Sequence, residues 1–493
     1  MNETTINKNA ADKKAAMLLF VLLFIPCLLI NTNPDNDIWF LLNSGKYVLE
    51  SGFPHIEPFT MHSGMAFVMQ QWLTAVIFRL AYAAFGTAGL MMIVTAVFAC
   101  AIFAIYKLCM LISDRNFFVS YLLTFSISAL FSVFMVTRPY IFSVLIFLLE
   151  LYILEDFIKT GKKGPLALLP VLSAAQINLQ SAMWPMLFVL LIPYAIDSFH
   201  FRLRFAAGQG YPKKALFAAA AAMLPAGLIN PYGTDAMTYL FRSYGYPEIS
   251  NYVSEMRPAD INNALGILIF SVLLIMILVY CIYRNGRTRV RYVLLTIGTA
   301  VLALSSVRNF LVFACCGIFP IAYYLKDAKL PEGKVKTQKN VQKLRAVLVA
   351  LLCFTLAAAL FGKYREIEKT DISPQETAAI NYILKAEAGK KLVLYTGYDE
   401  GGYAEFRGLK PYIDPRAEVF VKKNNHKDDI MKEYYDLQVG QTYYKDFLNK
   451  YGFTCLLVSK NDILYTYLPH DADYKTVYQD KTYRVFEKVN KTG

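Results

Sequence analysis

The sequence predicts a mainly α, polytopic transmembrane helical bundle of about 11 crossings, followed by a C-terminal extracytoplasmic α/β domain. Three observations lead there. The chain of 493 residues is 56% hydrophobic and only 18% charged, whereas soluble domains are about 25% charged. Its apolar residues are gathered into runs such as 16–30, 267–282 and 346–361, with the charges between them. Finally, the basic residues fall in alternate loops. These features divide the chain into a membrane module, 1–362, and a soluble domain, 363–493.

The apolar runs lie near 16–31, 86–112, 117–136, 139–158, 164–178, 181–198, 215–230, 264–283, 290–306, 309–325 and 345–362. A helix needs roughly 20 residues to cross the hydrocarbon core, and somewhat fewer where flanking side chains reach to the headgroups. With a cytoplasmic N-terminus, the inner segments are the N-terminal tail and loops 107–116, 159–164, 200–214, 284–291 and 326–345. Together they hold 23 Lys and Arg residues, against five in the outer loops 31–70, 137–139, 179–181, 230–263 and 305–309. That asymmetry is what the positive-inside rule requires. It predicts a multi-pass protein of the plasma membrane whose C-terminal domain lies outside the cytoplasm.

The first run follows Lys8, Lys13 and Lys14 and has no small-residue cleavage site after Ile30, so it reads as an uncleaved helix. Gln71–Phe85 is apolar but only about 15 residues long, with Arg79 in its middle. It is too short for an ordinary crossing and is predicted to lie in the outer interface or to re-enter. Beyond the last run, Leu392–Thr396 and Thr454–Ser459 read as buried strands, and Asp428–Leu437 and Thr442–Tyr451 as helices. Thr476–Gln479 and Tyr483–Lys488 read as a hairpin across Asp480–Lys481.

The net charge of +13 sits largely in short loops, so it reports orientation and contact with membrane lipid rather than nucleic acid. Of the eight cysteines only Cys455 lies in the soluble domain, which therefore has no internal disulfide. The chain carries no Walker motif, GxSxG, HExxH or dinucleotide fingerprint.

The first outer loop is where chemistry concentrates. Asp35, Asp37, Glu50 and Glu57 face a single base, Lys46. Asp35 and Asp37 lie just beyond the first apolar run, at a depth where a carboxylate needs water, a partner or a function. Opposite charge comes from other outer turns. Arg138 stands alone in Thr137-Arg138-Pro139 and Arg308 in Ser306-Val307-Arg308-Asn309, although either could simply reach to headgroups. Asn178 and Gln180 form a polar break between runs. Asn230 opens the second long outer loop, which ends at Glu255-Met256-Arg257-Pro258.

Acids and bases at a membrane face suit sugar transfer from a polyprenyl phosphate. The reacting carbon of such a donor lies at the interface and its tail in the bilayer. The leaving phosphate needs cations, and the acceptor hydroxyl needs a carboxylate base. Arg or a metal could serve as the cation.

These motifs resemble those of a bacterial family of GT-C-type membrane proteins regarded as glycosyltransferases, over nearly the whole chain. Asp37-Ile38-Trp39 with Gly45 and Gly52-Phe53-Pro54 is similar to the family's D-x-W-W-H-L…G…G-x-x-P loop. Pro58-Phe59-Thr60 is similar to its D-P-F-S/T step, Gln71-Trp72-Leu73 to its E-W-L, and Ile413-Asp414-Pro415-Arg416 to its I-D-G-R. Arg138-Pro139, Asn178, Asn230-Pro231-Tyr232-Gly233, Glu255 and Arg308 fall at familiar positions.

The resemblance implies a GT-C-like bundle and a polyprenyl-phosphate sugar donor, with a glycan, lipid or protein as acceptor. It implies Asp37 as the catalytic acid of the first outer loop, with Glu57 in place of a second Asp. Arg138, Arg308, Asn178, Gln180, Asn230 and Glu255 are then expected to bind substrate. A divalent metal is possible, but the family's two histidines are Leu41 and Gln180 here, which weakens a metal site. Two other readings fit the same features. One is a transporter or flippase of an envelope glycolipid, and the other a non-catalytic envelope-assembly protein.

Overall fold

The computed structural model describes residues 20–30, 35–132, 134–243, 245–262, 264–283, 288–327, 373–386, 389 and 391–489. The N-terminal tail and the eleventh apolar run, 345–362, lie outside the described residues.

The membrane module is a bundle of apolar helices. Two of them, Trp72–Ile112 and Val307–Tyr324, are long and apolar enough to cross a bilayer, and six shorter apolar helices of 10–17 residues accompany them among the described residues. The count of about 11 crossings therefore rests on the sequence. Helix Ala264–Tyr283 leaves large aliphatic side chains exposed, including Ile267, Leu274, Ile275, Ile277 and Leu278. Lipid tails are the natural solvent for such a surface.

Helix Trp72–Ile112 is two rods joined at Phe85 and Gly86, whose backbone is not helical; Gly86 has φ +59°. The break falls at the end of the short segment that the sequence set apart. Its first rod packs on helix Ile38–Ser51, and Gly45 makes the approach possible. A Cβ on Gly45 would stand 2.2 Å from the carbonyl oxygen of Ala75.

The loops sort into two groups. At one end Lys159 and Lys326 both reach Asp114 (2.9 and 3.5 Å), and the Asn116 amide donates to the Lys326 carbonyl. At that end too, strands β1 (His200–Arg202), β2 (Ala206–Gln209) and β3 (Thr288–Arg289) form a small sheet in the order β1-β2-β3, which ties 200–209 to 288–289. Beneath it, buried Arg291 pairs with Glu155 (2.9 Å) and Asp197 (2.7 Å). Loop 53–70 and the turns carrying Arg138, Glu255 and Arg308 lie at the other end, with the C-terminal domain.

That domain is a four-stranded sheet flanked by helices. Its strands β4 (Leu394–Thr396), β5 (Cys455–Ser459), β6 (Tyr474–Gln479) and β7 (Tyr483–Lys488) run in the order β4-β5-β7-β6. β4 and β5 are parallel and β6-β7 is an antiparallel hairpin. Helices Ile430–Gln438 and Tyr444–Tyr451 lie within two residues of the expected bounds. Cys455 is buried and free.

The domain is not an independent cap. The Met61 and Ala66 amides donate to the Pro411 and Asn425 carbonyls (3.0 and 2.9 Å), so loop 53–70 is knitted into it. Trp39 packs on Tyr403 and Phe406, with ring centroids 4.7 and 4.9 Å apart.

Candidate functional site

Asp37 immediately precedes helix Ile38–Ser51. An Asp at this position usually caps the first turn with its own carboxylate, but that of Asp37 makes no cap hydrogen bond. Asp35 substitutes in part, its Oδ1 accepting from the Asp37 amide at 3.1 Å. The Asp37 carboxylate is thereby free to face Arg138.

Arg138 is held in a tight turn ahead of helix Tyr140–Thr160, and the neighbouring Thr137 hydroxyl accepts from the Asp35 amide at 3.2 Å. Its guanidinium meets three carboxylates, one at each nitrogen. Nη2 lies 3.1 Å from Asp35, Nε 3.2 Å from Asp37 and Nη1 2.6 Å from Glu255. Glu255 is brought in by the turn Ser254–Met256. Its carbonyl accepts from the Ser306 hydroxyl at 3.1 Å, which fastens that turn to the one carrying Arg308. Arg308 stands at the edge of this group, 3.8 Å from Glu255, with 41% of its side chain exposed against 15% for Arg138.

Asp37, Arg138, Glu255 and Arg308 line a cavity of about 500 Å³ between the bundle and the C-terminal domain. Tyr398, Asp399 and Glu418 of the C-terminal domain roof it, and Tyr140, Tyr239 and Tyr252 add aromatic wall. Glu418 accepts from the Gln70 amide at 2.8 Å, which ties the roof to the floor. Burial raises the Asp37 carboxyl to about 7, with Arg138 and Arg308 opposing the rise and Asp35 and Glu255 adding to it. The same three carboxylates hold Arg138 firmly charged. Asp37 thus changes charge near neutrality, where a general base is most effective.

Five of the eight expected site residues meet in this cavity: Asp37, Arg138, Gln180, Glu255 and Arg308. The other three do not line it, and each has a structural explanation. Glu57 is buried and accepts from the Phe59 and Thr60 amides and the Thr60 hydroxyl. It also pairs with Arg416 at 2.9 Å, and Arg416 is further paired with Asp414 and Glu405. Phe59 and Phe67 pack their rings 5.0 and 5.4 Å from that guanidinium. Asn178 takes the Trp72 indole N–H at 2.8 Å and donates to the Ala174 and Ile229 carbonyls. Asn230 closes its own turn through the Gly227 and Gly233 carbonyls and the Tyr232 amide.

Among the described residues no group of three or more His, Cys, Asp or Glu side chains is arranged to hold a metal ion. The acids of the cavity converge on a guanidinium instead. Leu41 and Gln180 occupy the two positions where the resemblance led one to expect histidines. Leu41 is fully buried, and the Gln180 Oε1 accepts from the Ser143 hydroxyl at 2.8 Å.

Sequence reasoning missed Tyr398, Asp399 and Glu418. Glu418 follows the Ile413-Asp414-Pro415-Arg416 motif by two residues, whereas Tyr398 and Asp399 lie beside none of the motifs named above.

No protein-family model matches the chain, and no curated protein matches it. Solved structures do. The fold is that of the GT-C glycosyltransferases, which are integral membrane proteins. The archaeal oligosaccharyltransferase AglB from Archaeoglobus fulgidus, in complex with an inhibitory peptide and a dolichol-phosphate, matches with a TM-score of 0.57 at 11% identity, over 91% of this chain and 70% of that one. ArnT from Cupriavidus metallidurans in the apo state gives 0.55 at 12%, over 97% and 98%. The arabinofuranosyltransferase AftD from Mycobacteria gives 0.51 at 11%, over 97% of this chain and 41% of its own. At such identities the likeness is one of fold.

Proposed function

We propose that this protein is a membrane glycosyltransferase. It moves a sugar from a polyprenyl-phosphate donor to an envelope acceptor at the outer membrane face, with Asp37 as the base. The observation that carries the reading is the meeting of Asp37 and Arg308 in one cavity, in a fold shared with glycosyltransferases. The dolichol-phosphate bound by the archaeal neighbour supports the class of donor.

In this reading the acceptor hydroxyl gives its proton to Asp37 and its oxygen bonds to the anomeric carbon. The bond from that carbon to the phosphate oxygen breaks, and polyprenyl phosphate leaves. A phosphate is already a good leaving group, so the step needs stabilised negative charge more than a strong acid. Arg308 is the better placed arginine for the phosphate. It is more exposed and has one carboxylate nearby, whereas Arg138 is surrounded by three. Arg138 instead holds Asp37 and Glu255 in position. Glu57 is assigned no part in the chemistry.

Orientation belongs to the same reading. The turns around the cavity are the base-poor set and those at the opposite end the base-rich set, which supports a cavity outside the cytoplasm. The test is transfer from a panel of polyprenyl-phosphate sugars by purified protein in lipid. Failure of every donor in the panel, with intact protein, would count against it.

A further inference from the structure

Two further grooves lie toward the base-rich end of the bundle, on the flanks of helix Tyr140–Thr160. One, of about 570 Å³, runs between this helix and the second rod of helix Trp72–Ile112, and Lys107 is its one charged lining residue. The other, of about 350 Å³, runs between the same helix and helix Leu168–Leu179, with Asp156 as its one charge. Leu149 and Tyr152 line both, so they form a ridge between two apolar grooves. Lys107 and Asp156 stand at matching depths, about 6–8 Å inside the ends of their helices. Those ends are side by side, since Lys159 donates to the Leu111 carbonyl. Among the described residues neither charge has a partner of opposite sign. Lys159 and Lys326 are taken by Asp114, and the Lys107 ammonium has only the Phe103 ring, 5.8 Å away.

We propose that these grooves hold a diacyl phospholipid whose head carries a phosphate and a primary ammonium, with one tail on each side of the Leu149–Tyr152 ridge. In a bilayer a tail gains only packing by entering a groove, so the head decides which lipid is held. Lys107 takes the phosphate and Asp156 accepts from the ammonium, contacts that strengthen where water is scarce. A purely anionic head would meet like charge at Asp156. A polyprenyl phosphate has one tail and no ammonium, so it leaves the second groove and Asp156 unused. The site is separate from the cavity beneath the C-terminal domain and stands whether or not that cavity transfers sugar.

The test is native mass spectrometry of the full-length protein in detergent, with dioleoyl phosphatidylethanolamine, dioleoyl phosphatidylglycerol and undecaprenyl phosphate added in equal amounts. The wild type is expected to retain one phosphatidylethanolamine per chain. Lys107→Gln, at the surface of the bundle, should weaken that retention about tenfold or more, as loss of a charged hydrogen bond does. Cys100→Trp, which fills the first groove and leaves both charges, should weaken it too. Asp156→Asn should still retain lipid but lose the preference for phosphatidylethanolamine over phosphatidylglycerol. Retention of no lipid by the wild type, or a preference for either of the other two, would overturn the proposal. Wild-type retention by Lys107→Gln or Cys100→Trp, or an unchanged preference in Asp156→Asn, would overturn it as well. No activity is read, so failure here is separate from failure of the transferase reading.

Discussion

At the scale of single residues, the two arginines expected to share the phosphate differ in what surrounds them. Arg308 is half open and has Glu255 at 3.8 Å, while Arg138 is enclosed by Asp35, Asp37 and Glu255. Arg308→Gln is therefore expected to act on donor binding, raising KM for the polyprenyl-phosphate sugar. Arg138→Gln should lower kcat with a smaller change in KM, because it releases the base and not the donor. Steady-state kinetics with varied donor separates the two, and equal effects on KM would place both arginines on the phosphate. A second expectation follows from Asp37, whose carboxyl is raised to about 7 mainly by burial. A base must be ionised to act, so kcat/KM should rise with pH through about 7 and level off above it. A pH profile that is flat between 6 and 8 would show that Asp37 is not the titrating group. Both arginines stand out in the sequence because each is the single charge of a short turn between apolar runs, and Asp37 because it closely follows one. Their pairing could not, because it depends on four separate turns meeting.

At the scale of elements, the C-terminal domain and loop 53–70 are joined by a buried ionic cluster whose Arg416 and Glu57 are 359 positions apart. Breaking a buried pair from one side leaves uncompensated charge, which costs about 3–5 kcal/mol. Arg416→Met strands Glu57, Glu405 and Asp414, so it should lower the thermal midpoint far more than Glu57→Gln, which leaves Arg416 two acids. A melting series in detergent compares them, and equal midpoints would remove the cluster from the account. Gly45→Ala tests the other joint. Its Cβ would collide with the Ala75 carbonyl, and overpacking of this kind costs about 1–3 kcal/mol. That exceeds the gain of up to about 1 kcal/mol from replacing a helical Gly with Ala. The strands β4 and β5, the hairpin and both outer-domain helices could be read directly, because each obeys a local period or turn signal. The pairing of Glu57 could not be read, because its partner Arg416 is remote in sequence.

At the scale of the whole molecule, the charged turns of the described residues gather at two ends. Asp114, Lys159 and Lys326 gather at one end with the small sheet, while Asp37, Arg138, Glu255 and Arg308 gather at the other under the outer domain. The fold alone fixes no absolute orientation, and the one proposed above rests on the positive-inside rule. In intact cells, with the native cysteines replaced by serine, a membrane-impermeant thiol reagent should label a cysteine at Lys481 and spare one at Lys162. The reverse pattern would put the cavity in the cytoplasm and exclude an extracytoplasmic acceptor. The sequence predicts a bundle that carries an α/β domain. It did not show that the domain forms the roof of the cavity, since Tyr398, Asp399 and Glu418 acquire that place only when the domain docks.

The claim on which the rest depends is that Asp37 takes the acceptor proton. Asp37→Asn is nearly isosteric and makes a neutral contact with Arg138, so the protein should still insert and fold. An amide cannot accept that proton, and a positioned general base contributes about 10²–10⁴-fold to the rate. The decisive measurement is turnover by purified protein in lipid, wild type against Asp37→Asn, on a polyprenyl-phosphate sugar that the wild type uses. The account predicts that kcat falls by about 10²–10⁴-fold, with the donor still bound through Arg308. Wild-type turnover by Asp37→Asn on that donor would contradict it.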